Sequence, residues 1–142
     1  MIGAAMRRAR RSRGTPLKRQ IVRQTANQGN GSATEVKLQI ASDVTHTAVV
    51  VDNNMIVKGS GPVTITLTID QTGSIFENVV VNLRRNGAIV GSIQPKSWEG
   101  VTQVVPGVTL NDGDVLALWT RRIANSSLGG ETRGVVLDIT PA

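Results

Sequence analysis

Cysteine is absent from this chain of 142 residues, so no disulfide framework, zinc–thiolate cluster or thiol nucleophile can be built. Tyrosine is absent as well, and only Phe76, Trp98 and Trp119 are aromatic. The core therefore falls to Val, Ile, Leu and Ala, a β-branched bias that favours strands. His46 is the single histidine, which excludes a multi-histidine metal site. No apolar run approaches the roughly 18 residues that a membrane-spanning helix needs, so no membrane partner is expected. The short apolar stretch Met1 to Met6 precedes the basic cluster, and no apolar segment follows it, which is the wrong order for a secretory signal.

What is present is one sign of charge at one end. Arg7, Arg8, Arg10, Arg11, Arg13, Lys18, Arg19 and Arg23 give residues 1–23 a charge of +8 with no acid, while the other 119 residues carry 8 basic and 10 acidic groups. A run of like charges repels itself until a partner neutralises it. The first segment is accordingly read as an extended basic arm over residues 1–24, seeking a polyanion or an acidic protein surface. Thr15-Pro16 supplies a helix start, and Leu17, Ile21 and Val22 then fall on one helical face. So short a helix is marginal alone, so Leu17 and Ile21 are expected to dock on a neighbouring subunit while the basic residues contact protein or nucleic acid.

Residues 25–33, polar and glycine-containing, read as a linker, and residues 34–142 as the folded domain. There the pattern is one of short strands between turn residues. Val63, Ile65, Leu67 and Ile69 alternate with Thr64, Thr66 and Thr68, the period of a strand with one buried face. Val79–Arg85 and Ala88–Ile93 flank Asn86-Gly87, the pair that supplies the positive φ angles of a type I′ hairpin. Further strands are expected at Glu35–Ile40, His46–Val51, Met55–Lys58, Val101–Val105, Asp114–Arg122 and Gly134–Thr140. Strands without intervening helices give an all-β fold, an antiparallel β-sandwich with Greek-key or jelly-roll wiring.

Sites of chemistry are not apparent. Asn111-Asp112-Gly113-Asp114 lacks the late bidentate carboxylate of a calcium loop and reads as a tight turn. Ser42, Asp43 and His46 crowd together without a nucleophile elbow. No phosphate loop or dinucleotide fingerprint occurs, so no enzyme, catalytic residue, metal or cofactor is expected. Trp98, in the loop Gln94 to Gly100, either stacks on a base or sugar, anchors an interface, or folds over the sandwich end. The pairs Arg84-Arg85 and Arg121-Arg122 place side chains on opposite sheet faces and are read as rim or subunit contacts, the alternative being simple solvation.

With these elements placed, Val81-Asn82-Leu83-Arg84-Arg85-Asn86-Gly87, the run from Gly107 to Val115 through Asp112-Gly113, and the closing strand Val135–Pro141 resemble the tumour-necrosis-factor and complement type of jelly roll found in bacteriophage minor tail and head-decoration proteins. That resemblance implies a homo-oligomer, commonly a trimer, located in the virion and contacting major capsid or tail proteins. The basic arm and the scarcity of aromatics depart from simple receptor-binding modules and shift weight toward a wedged or interior particle component. A second reading is a small icosahedral coat protein whose arm neutralises packaged nucleic acid. A separable docking arm predicts that Leu17→Asp with Ile21→Asp blocks incorporation but leaves the thermal transition of the sandwich unchanged.

Overall fold

A computed structural model describes residues 15–30, 34–69, 79–94, 100–122 and 130–142. Its strands are β1 (Gln20–Gln24), β2 (Gln28–Asn30), β3 (Val36–Lys37), β4 (Ile40–Ser42), β5 (Val49–Val51), β6 (Asn54–Ile56) and β7 (Gly61–Ile69), followed by β8 (Val79–Arg85), β9 (Ala88–Ile93), β10 (Val101–Leu110), β11 (Val115–Arg122), β12 (Gly130–Thr132) and β13 (Val135–Pro141). One sheet has five strands in the order β10-β7-β13-β1-β4, and the other runs β5-β6-β11-β8-β9 with β3 also on β11. Every pairing within them is antiparallel, and β2 with β12 forms a small third ladder. The all-β sandwich expected from the sequence is the observed architecture.

Alternation builds the core. On β7 the side chains of Val63, Ile65, Leu67 and Ile69 are buried and the intervening threonines half-buried. They meet Val81, Leu83, Leu116 and Leu118 of the facing sheet in one cluster that also takes in Leu137 and Ile139. The Asn-Gly hairpin forms as expected, with φ of 50° at Asn86 and 89° at Gly87. Asp52 and Asn53 close β5 on β6 in the same way, at φ 51° and 61°, because Asp and Asn tolerate the left-handed region better than most side chains. β10 runs five residues beyond the expected end at Val105, its register shifting between Val105 and Val108. Pro106 cannot donate to a ladder and Gly107 has φ of 74°, so the strand bulges there and continues. The expected strand Glu35–Ile40 divides into β3 and β4 on different sheets, with Leu38 buried at the crossing.

The largest correction concerns the start. Residues 20–24 form a strand, not a helix, and it lies between β13 and β4. Hydrogen bonding on both edges satisfies this backbone in a way that no isolated two-turn helix could. Leu17 and Val22 join the core, and Ile21 is buried on the opposite side of the strand. Gln20 is buried too; its amide donates to the carbonyls of Lys18 and Lys58 and accepts the N–H of Lys58. The sandwich therefore takes up the chain from Pro16, ahead of the expected boundary near residue 34. Part of the expected linker is likewise integrated, since β2 pairs with β12 and Gln24 donates to the carbonyls of Ala26 and Thr132.

Candidate assembly surfaces

The docking face expected of the arm is spent within the molecule. Leu17 and Ile21, read as contacts to a neighbour, are buried in this chain's own sandwich. Pro16 bridges Ser60 in parallel, and the Ser60 N–H donates to the Thr15 carbonyl. Thr15 and Pro16 line a groove of about 450 Å³ together with Lys18, Lys58 and Asp112. Lys18 is exposed there. Arg7, Arg8, Arg10, Arg11 and Arg13 lie outside the described residues, as does Trp98.

Most of the remaining arginines singled out from the sequence are held by carboxylates of this chain. Arg19 makes a two-pronged contact with Asp138, at 3.1 and 2.7 Å. Arg23 meets Asp43 at 3.1 Å. Arg84 grips Glu35 through Nε and Nη2, and Arg85 reaches Asp114 at 2.7 Å. Arg121 donates to the carbonyl of Arg122, whose Nε is buried without a hydrogen-bond partner among the described residues. The acidic partners could not be found from spacing, because they lie between 20 and 119 residues away in sequence.

These pairings set the local electrostatics. The N–H of His46, the Arg23 guanidinium and the N–H of Thr45 together lower the Asp43 carboxyl to about 2. The hydrogen bond from Arg19 leads in holding Asp138 below the usual carboxylate range. Burial alone would raise Asp114, but hydrogen bonds from the Asn111 N–H, Asn86 and Arg85 outweigh it and the net shift is downward. Asp43 is thus a structural acceptor. Ser42 Oγ donates to the Asp43 carbonyl, and His46 Nε2 lies 3.4 Å from Arg19 Nη1, so the Ser42, Asp43 and His46 cluster has no relay geometry.

Apolar surface is concentrated where sheets end. Among the described residues β9 and β10 are the edge strands of the two sheets, and they lie side by side, with Gly91 directed at Val105. Along them Ile89 and Val104 are about half exposed and Val90 is exposed as well. The opposite side, where β4 and β5 end the sheets, exposes Val44, Val49 and Val51. Sequence alternation did not reveal either patch, because edge position depends on strand order. Unpaired backbone beside apolar side chains is a template for association.

No protein-family model and no curated protein matches the sequence. Among solved structures the chain is similar to Eiger TNF from S. frugiperda, at a TM-score of 0.56 and 10% identity over 90% of this chain and 94% of that one. It is also similar to murine APRIL, at a TM-score of 0.58 and 10% identity over 88% of this chain and 100% of that one. The fold is a jelly roll of the tumour-necrosis-factor type. At this identity the likeness concerns backbone arrangement. It extends over most of this chain and nearly all of each of the two others.

Proposed function

We propose that this chain is a non-enzymatic structural subunit of a bacteriophage particle, a head-decoration or minor tail component that assembles through its jelly roll. The observation that carries this reading is the pair of apolar edges on opposite sides of the sandwich, Ile89, Val90 and Val104 on one and Val44, Val49 and Val51 on the other. Two unlike patches on opposite sides favour a head-to-tail contact, and such contacts close into a ring when the rotation permits. A trimer is the ring that the family resemblance implies. The arginines at positions 7, 8, 10, 11 and 13 are then the arm's contacts to capsid or tail proteins.

A second reading, a small coat protein whose arm binds packaged nucleic acid, is favoured by one feature. The first acidic residue of the sequence is Glu35, so the five leading arginines have no acid among their near neighbours in sequence. Mass spectrometry of purified particles from the encoding phage tests the structural role. Peptides of this chain at a fixed ratio to the major capsid protein support it, and their absence from intact particles removes it.

A further inference from the structure

Trp119 reads from the sequence as part of a continuous apolar strand, Val115-Leu116-Ala117-Leu118-Trp119. The structure turns it outward. Leu116 and Leu118 enter the core, whereas Val115, Ala117 and Trp119 face away from it on the six-stranded sheet. Two cross-strand rows result: Trp119 lies between Lys37 and Asn82, and Ala117 opposes Arg84. A cleft of about 370 Å³ opens over them, lined by Glu35, Lys37, Asn54, Arg84, Ala117 and Trp119. That volume is at the small end of ligand pockets.

The polar groups of the cleft are fixed in place yet not saturated. Glu35 accepts from Asn82 at 2.8 Å and from Arg84 at 2.8 and 3.1 Å, and Arg84 donates onward to the Gly87 carbonyl. A guanidinium has five N–H donors, so two remain. Lys37 donates to Asn54 Oδ1 at 3.0 Å and lies over the indole, 5.5 Å from its centroid, leaving two ammonium protons. The cleft thus joins an aromatic wall and a small apolar floor to a rim offering both donors and acceptors.

We propose that this cleft binds a saccharide, one pyranose ring packing its C–H face on Trp119 and Ala117 while Glu35, Arg84, Lys37 and Asn54 bond its hydroxyls. A polyol needs donors and acceptors interleaved, which this rim provides. A phosphate or polyanion would meet the Glu35 carboxylate, and Arg84 is already neutralised by that same group. Rim side chains already held by hydrogen bonds, Glu35 with Arg84 and Lys37 with Asn54, lose little rotational freedom on binding.

The full-length protein is screened on a printed array of glucose-, galactose- and N-acetylglucosamine-containing oligosaccharides, and the strongest binder is titrated by calorimetry. Saturable binding is expected, weakened about tenfold or more by Trp119→Ala, which removes the aromatic wall. Ala117→Leu fills the floor from the outer face without touching the core and is expected to weaken binding similarly. Should Trp119→Ala fail to fold, Ala117→Leu decides the matter. Absence of saturable binding to every array member, or affinity retained in Ala117→Leu, overturns the proposal.

Discussion

The backbone of Leu17 passes 2.7 Å from where a side chain at Gly59 would begin, and Gly59 itself has φ of 87°. The segment that carries the arm is seated in a notch that only glycine leaves open, and the left-handed backbone there disfavours any other residue. Gly59→Ala should therefore cost about 2 kcal/mol or more, combining the backbone term with displacement of residues 15–17. Urea denaturation measures the loss, and faster tryptic cleavage at Lys18 and Arg19 reports the unseated segment.

The position of β1 reverses the expectation drawn from an arm that docks elsewhere. Leu17→Asp with Ile21→Asp places two carboxylates in buried sites of the sandwich itself, so its thermal midpoint should fall sharply, by the equivalent of about 3–5 kcal/mol. Removal of residues 1–13 should leave the transition unaltered. Removal of residues 1–24 withdraws the strand between β13 and β4 and should abolish cooperative melting in calorimetry.

Much of this was legible in the sequence, and the exceptions have physical causes. The threonine alternation of β7 and the Asn86-Gly87 turn are local signals, and both appear as read. Residues 17–22 carry an ambiguous signal, since Leu17, Ile21 and Val22 fit a helical face while Ile21 and Val22 equally suit a strand with both faces covered. Nothing local decides between them; the vacant edge of β13 does. Trp119 was hidden because apolar residues on both faces of β11 erase the alternation. The arginine partners were hidden because Arg19 and Asp138 meet only when the first and last strands pair.

Acid should loosen the fold in a defined window. Asp43, Asp114 and Asp138 all have folded-state values below their unfolded ones. A depressed carboxyl contributes stability that is present above the unfolded value and lost as pH falls through the folded one. The thermal midpoint should thus be nearly level from about pH 7 to 5 and decline between about pH 4 and 2, as the unfolded chain takes up protons first. Calorimetry across that range checks this, and Asp43→Asn should lower the plateau while making the acid decline shallower.

The apolar edge gives a separable prediction. Ile89 and Val104 are about half exposed on the edge strands of the described sheets, so Val104→Lys should disrupt association at little cost to the isolated fold, within about 0.5 kcal/mol. Sedimentation velocity should show the smallest species enriched, with the far-ultraviolet circular dichroism unchanged.

The central claim is that this jelly roll works by assembling, and light scattering on the purified full-length protein at moderate salt, with absorbance recorded at 260 and 280 nm, tests it most directly. A small closed oligomer, a trimer by preference, with a nucleic-acid-free absorbance ratio is the result expected. A monomer across the whole concentration range would contradict the account, and a large shell carrying nucleic acid would replace the phage-component reading with that of a coat protein.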